Sequence, residues 1–434
     1  MIMSSQIGDA PSQSINAHVN KNLKFNYLVN VGDGTFFGLA LGISSFTTIL
    51  PLFIASFTDS AILIGLIPSL HSLGWQLPQL FTAKFTSSLK RLKPVLLAFS
   101  IFERLPFLVL AFLAFYSHRY SANTILWVTF SLLVFQGLLG GLAANPWQNM
   151  LAKVIPGSIR GTFFGVVNGS SNLMASLGAL LSGFLLEKFL FPNNFAICFF
   201  LSFILYLISY TCLGLTREPE RSVDENQPQV FVNQKTMIGQ ILRQDHRFTG
   251  FLITRFLYQF GMMALAYYTV FVSKELQIST ITIGALTATL LIVQVVSNPV
   301  LGWLSDHWGK RNAFLFGSLS AGISAVIAAL GQEPWLFFLV FLFMGIANSA
   351  YWTIGIAYSL EFGDESQKPT YVGLSNTLVS PSILIAPLLG GWLANMGGYR
   401  LTFWISSFFA LLTTLILIIF DRNSGIKEKN ERSG

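Results

Sequence analysis

The sequence predicts an all-α membrane protein: twelve transmembrane helices arranged as two pseudo-symmetric six-helix bundles. Three observations carry that prediction. The 434 residues are 53% hydrophobic and 10% charged, a balance far from that of a soluble chain of this length. The apolar residues come in long stretches, near the roughly 20 residues a helix needs to cross a bilayer. A segment in the first half aligns without gaps on one in the second.

Taken in chain order, residues 1–24 form a polar tail, with no apolar core followed by a small-residue cleavage site and hence no expected signal peptide. His18 in this tail reads as solvated. Spans follow at 28–56, 61–83, 94–115, 123–151, 162–187 and 195–216, giving a first bundle over 25–216. Residues 217–247 hold Pro219, Pro228 and mixed charge and read as a linker, with one short surface helix expected near 234–243. The second bundle, 248–421, has spans at 248–272, 278–304, 312–330, 335–360, 371–394 and 401–420, and a tail over 422–434. Cys198 and Cys212 lie fourteen apart in one apolar run. On a helix that is about 21 Å, too far for a disulfide, so both are expected as free thiols.

Charge bias orients the chain. Twenty of the 26 lysines and arginines fall in the tails, the linker and the loops on their side, against four (Arg119, Lys188, Lys274, Arg400) in the opposite loops. Positive charge stays inside, so both termini and the linker are expected to be cytoplasmic in a multi-pass protein of a bacterial inner membrane. The net charge of +7 is spread between apolar segments without a basic patch, so no nucleic-acid partner is expected.

The repeat pairs residues 160–186 with 368–394 at an offset of 208. Thr162/Thr370, Gly165/Gly373, Asn168/Asn376 and Gly183/Gly391 are identical, Phe163/Tyr371 and Phe184/Trp392 similar, and Gly137/Gly345 keep the offset. Both copies run outward from the cytoplasm, which makes a parallel repeat with its axis along the membrane normal. Such repeats place a substrate site at the bundle interface near the midplane.

Between the eighth and ninth spans stands LGWLSDHWGKRN (301–312), where charge concentrates behind two glycines. Gly302, Asp306, Gly309, Lys310 and Arg311 resemble motif A of the major facilitator superfamily. With six plus six spans, the REPE linker (217–220) and RGTFFG (160–165), the resemblance covers essentially the whole chain. Small Gly residues let helices approach, and Asp306 can sit at a helix N-terminus, where an anion gains about 0.3–1 kcal/mol. The resemblance implies that this helix is the fifth span, beginning after Arg160, so that the motif latches one conformation. The alternative is ordinary positive-inside loop charge. His307 replaces the basic residue the superfamily often carries, and in the first half Phe85 and Ser88 replace the Asp and the second Gly, so a one-sided latch is expected.

Ionisable residues inside spans cost about 2.5–3.5 kcal/mol each and mark function by default. Asp33, His71 and Glu103 are the proton-coupling candidates, with a polar cluster locking the helix as the alternative for Glu103 and a packed, hydrogen-bonded imidazole for His71. Glu103 and Arg104 point about 100° apart on their helix and need not pair. Arg255 either binds an anionic group or snorkels to the surface, and snorkelling is the expectation. The resemblance implies that spans one, four, seven and ten line a central cavity, flanked by two, five, eight and eleven. Those spans offer Gln76, Gln136, Asn168, Asn172, Tyr258, Gln259, Gln294, Asn298, Asn348, Tyr351 and Asn376 as substrate ligands, flanked by Trp147 and Trp352. Helix–helix hydrogen bonding is the alternative for each, at about 0.6 kcal/mol.

The expected function is secondary active transport of a small solute by alternating access, coupled to protons. Efflux of amphipathic compounds and uptake of a polar solute both stay open. Leu133 stands where export antiporters carry an Arg before Gln136-Gly137, and their fifth-span proline is missing, although APLLGG (386–391) resembles the end of that motif. No Walker loop, metal cluster or nucleophile–base set is seen, so neither enzyme activity nor a cofactor is expected. A non-transporting receptor on the same fold is the alternative. The expected partners are the lipid bilayer, the substrate and protons, with the chain acting as a monomer.

Overall fold

The computed structural model describes residues 9–78, 89, 91–220, 239, 241–359, 361–363 and 368–431. All regular structure among them is helical. The first half contributes α1 (Asp9–Ile43), α2 (Ile49–Ala55), α3 (Ala61–Gln76), α4 (Lys93–Phe115), α5 (Ala122–Val154), α6 (Gly157–Lys188) and α7 (Asn193–Gly214). The second contributes α8 (His246–Gly261), α9 (Leu265–Lys274), α10 (Thr280–Trp308), α11 (Lys310–Leu330) and α12 (Leu336–Ser349). A π-helical turn (Ala350–Ile354), α13 (Gly355–Ser359) and α14 (Lys368–Glu431) complete it. Inside α14, Gly397 and Gly398 leave the helical region, Gly398 at φ 78°, and divide it into the last two spans.

Among the described residues nine helices are long and apolar enough to cross a membrane, the longest being Tyr371–Ile419 with its internal break. α1 and α3 fall outside that group. Starts are set by side-chain caps where the chain supplies them: Ser121, Ser279 and Asp245 accept from Thr124, Thr282 and Phe248 amides. The span expected over 28–56 breaks after Ile43, and that over 248–272 breaks between Gly261 and Leu265. The surface helix expected near 234–243 falls mostly outside the described residues, as do Pro228, Phe85 and Ser88. Cys198 is buried and Cys212 partly so, both free.

The chain divides into two compact units. The first comprises residues 1–44, 74–178 and 190–230, the second residues 45–73, 179–189 and 231–434. In the first, α1 and α4 pack on α7, and α5 packs on α4. A Cβ on Gly74 would lie 2.9 Å from Gly137 Cα, so α3 and α5 touch backbone to backbone. In the second, α8 and α11 pack on α14, and α12 on α10 and α11. There a Cβ on Gly345 would lie 2.9 Å from Leu290 O, bringing α12 onto α10. Gly137 and Gly345, paired by the repeat, thus serve equivalent contacts. Phe163 meets Tyr27 edge-on at 5.2 Å, and its counterpart Tyr371 meets Phe248 at 4.6 Å. Gly165 and Gly373 both face open space.

Within the second unit, the helix ends distal to the basic loops are closed together. A Cβ on Gly391 would stand 2.6 Å from Ile62 Cα, and one on Gly284 would stand 3.0 Å from Gly183 Cα. The repeat pair Gly183/Gly391 therefore seats α6 on α10 and α14 on α3. Asn395 Oδ1 accepts from the Ala61 amide (3.2 Å) at the start of α3, and Thr280 donates to Gly183 O and Glu187 Oε2. On the surface Lys274 Nζ pairs with Asp59 at 2.6 Å, holding that exposed carboxyl below the ordinary aspartate range.

Candidate transport site

Three ionisable residues expected from span positions converge in the first unit. Asp33 on α1 and Glu103 and Arg104 on α4 line a cavity of about 260 Å³, with Trp75, Trp147, Phe37, Asn168 and Ser171. All three charged residues are at least nine-tenths buried. Arg104 is spread over several acceptors: Nε donates to Tyr206 O (3.1 Å), Nη1 to Ser100 O (2.9 Å) and Nη2 to Ser209 Oγ (3.2 Å). Its Nη1 lies 3.4 Å from Glu103 Oε2 and its Nη2 3.9 Å from Asp33 Oδ1. Neighbours on a helix need not meet, yet the long guanidinium reaches back to Glu103 as well as across to α1. Phe37 and Tyr210 cover the cation at 5.6 and 5.7 Å.

The two carboxylates differ. Asp33 accepts from Ser209 Oγ at 2.6 Å and shares the cavity wall with the Trp147 indole. Glu103 has only the long contact to Arg104, and its Oε1 accepts no hydrogen bond among the described residues. Gly140 makes room for it: a Cβ there would lie 2.8 Å from Glu103 Oε1 and 3.3 Å from Trp75 Cδ1. With one cation between two acids, the set is one positive charge short. Uptake of a proton or a cation neutralises it.

A second cavity, about 180 Å³, lies within the second unit, lined by Gln259, Asn348, Trp352, Ser69, Ser72 and Met262 among others. The π turn places successive side chains on different tasks: Trp352 reaches this cavity while Tyr351 turns to Arg255. Of the expected ligands, Asn168 lines the first cavity and Gln259 and Asn348 the second. Tyr258 is fully buried, donates to Ala347 O at 2.8 Å and lines neither. Asn298 accepts from Thr353 at 2.8 Å. Gln136 is buried, Gln76 Nε2 is buried without a hydrogen-bond partner among the described residues, and Asn172, Gln294 and Asn376 are half-buried. His71 stacks on Phe46 at 3.8 Å in the second unit and lines neither cavity.

Arg255 does not snorkel. It is 2% exposed, donates to Ser375 Oγ at 2.8 Å, and stands by the Tyr351 ring, whose centroid lies 5.4 Å from its Cζ. Contacts to α14 and the π turn hold it where a longer reach to water would be needed. No carboxylate pairs with it among the described residues.

The glycine roles expected in 301–312 also change. Among the described residues a Cβ on Gly302 would meet nothing within 4 Å, so no close contact there calls for glycine; Gly309 sits at φ 86°, a backbone need instead. Asp306 is exposed and accepts no hydrogen bond among the described residues. Lys310 pairs with Glu361 at 2.9 Å, and Arg311 donates to Leu417 O. Arg160 donates to Ala152 O and Ile155 O, in its own hairpin. The acid-on-helix-end device occurs elsewhere: Glu218 of the REPE segment accepts from the Leu92 and Lys93 amides at 2.9 Å and pairs with Lys153 at 2.9 Å. Its signal, a Glu just past a span, was too common in sequence to single out.

Comparison with known proteins places this geometry. The family profile described as Major Facilitator Superfamily matches residues 34–272 and 251–434. An uncharacterized MFS-type transporter of Methanocaldococcus jannaschii is 25% identical over 183 residues, 41% of this chain and 47% of that protein. Multidrug resistance protein 1 of Bacillus subtilis is 25% identical over 161 residues, 37% of this chain and 41% of that protein. The chain thus spans less than half the length of these relatives. Among solved structures, the nucleoside transporter NupG superposes with TM-score 0.72 at 12% identity, covering 91% of this chain and 99% of that one. A D-xylose–proton symporter superposes at 0.70 with 15% identity, covering 91% and 97%. At such identities the likeness is one of fold.

Proposed function

This chain belongs to the Major Facilitator Superfamily, and from that premise we propose that it is a secondary transporter moving a small solute by alternating access, with proton binding at the Asp33–Arg104–Glu103 cluster as the coupling step. The observation that carries the reading is the charge imbalance of that cluster: two carboxylates share one guanidinium beside an open cavity. Leaving an acid ionised there costs free energy that protonation removes, so occupancy by a proton biases which conformation is favoured.

Three further features support the reading. The glycine-seated contacts at the distal ends are the kind that separate and re-form without side-chain rearrangement, as an alternating gate requires. The second cavity, with Gln259, Asn348 and Trp352, supplies neutral polar and aromatic groups for the solute body. The exposed Asp306, which accepts no hydrogen bond among the described residues, is available to latch a helix end in another state. On this proposal both termini are cytoplasmic, the membrane is a bacterial inner membrane and the monomer is the working unit.

Reconstituted vesicles test it. Solute flux should respond to an imposed pH gradient, and Glu103→Gln should abolish that response while leaving the protein folded. Flux in the wild type that ignores the gradient rejects the coupling, and ligand binding without flux favours a receptor.

A further inference from the structure

Resting on the transporter reading, we infer that the first-unit cavity takes a monovalent organic cation with a flat apolar body, and that Glu103 is its counter-ion. The hydrogen bonds of the cluster separate the two acids by role. Asp33 is committed: Ser209, Trp147 and Arg104 surround it. Glu103 is 9% exposed, and its Oε1 stands at the open side of Gly140 with no donor. A carboxylate oxygen of a residue nine-tenths buried, facing a cavity with no donor among the described residues, is a site waiting for positive charge.

The rest of the lining selects the body of the ligand. Trp75, Trp147, Phe37, Leu96, Val167 and Leu213 surround the carboxylate. Uncharged polar groups are few, Ser100, Asn168 and Ser171, so a sugar-like solute would lose most of its hydrogen bonds to water. An anion would face the net negative charge of the cluster. A cation gains the Glu103 charge and the faces of two indoles. The volume, about 260 Å³, sits below the range for drug-sized ligands and suits one or two rings.

Proton and cation then exclude one another at the same oxygen. The ionisable groups around Glu103 are Asp33 from α1, Arg104 from its own helix and Tyr206 from α7, with Tyr210 beside Arg104 and Cys212 beside Asp33. α5 presents Gly140 and Trp147, α3 presents Trp75 and α6 presents Asn168, none of which titrates in the range between pH 5 and 8.

The test is calorimetric binding of phenyltrimethylammonium to the full-length detergent-solubilised protein, compared with its uncharged isostere tert-butylbenzene and with benzoate. The cation should bind at least about tenfold more tightly than either at neutral pH, a preference that acid removes. Glu103→Gln should erase both the preference and its pH dependence, and Glu103→Asp should restore part of each. Gly140→Ala, which displaces the carboxylate by sterics, should mimic the Gln variant if that variant fails to fold. Equal binding of the three probes, or a preference that survives Glu103→Gln, overturns the inference. Were flux in vesicles still driven by a pH gradient in that event, the transporter reading would stand without it; absence of any such flux rejects that reading itself.

Discussion

Alanine at Gly391 should hold the distal end open. The new methyl would stand 2.6 Å from Ile62 Cα, 2.7 Å from Ile62 N and 2.8 Å from Ala61 O, where ordinary contact is 3.4–4 Å. Every one of those atoms is backbone, so no rotamer change relieves the overlap. α3 and α14 must part by about 1 Å, and overpacking of this kind costs about 1–3 kcal/mol. The cost falls only on the closed arrangement, so the equilibrium should move toward the open one by about 5- to 150-fold. Ser72 lines the cavity in this unit. In a background with Cys198 and Cys212 replaced, Ser72→Cys gives a reporter for a membrane-impermeant maleimide added to the outside of right-side-out vesicles. Gly391→Ala should raise its labelling rate by that factor. Gly373→Ala on the same helix is the control, because a Cβ there meets nothing within 4 Å. Equal labelling of Gly391→Ala and the control, both folded, would refute the argument that this contact is the seal.

Three other perturbations follow from contacts described above. Glu218→Gln strips charge from the first amides of α4 and from the contact with Lys153, 14% exposed; thermal unfolding in detergent should show a loss of about 2 kcal/mol. Arg255→Met removes a buried charge that no described carboxylate offsets while keeping most of its volume, so melting should be unchanged or raised; a loss beyond about 2 kcal/mol would mean that its bond to Ser375 and its contact with the Tyr351 ring outweigh its desolvation. The Asp59–Lys274 pair is fully exposed on the acid's side, so Asp59→Asn should alter Ser72→Cys labelling less than twofold, about the scale of a surface pair. Because the Asp59 value is lowered, the pair is present above about pH 4 and is lost as pH falls through that lowered value, so acid should reproduce the variant's small effect.

Helix positions were the legible part, since apolar run length maps directly onto bilayer thickness. Ala122–Val154 and Thr280–Trp308 fall within a few residues of the spans read from the chain. Gly183/Gly391 and Gly137/Gly345 were legible as a repeat, and their contacts explain why glycine stands there. Partners across helices were not legible. Asp33 and Arg104 are 71 positions apart, and nothing in either local pattern names the other. Gly302 read as a close-approach site because glycine in a span usually is one; the open space around it is a tertiary fact. Arg255 read as a snorkelling residue because side-chain length is local, whereas the Ser375 hydroxyl that holds it comes from a distant helix.

The grip of Glu218 on α4 has a bearing on how the interior cavity is tied to the end of the helix. Ten residues up the same helix, about 15 Å along its axis, stands Glu103. Glu218 is thus bolted to the foot of the rod that carries the proposed coupling acid. A displacement of Glu218 is delivered directly to the rod's base.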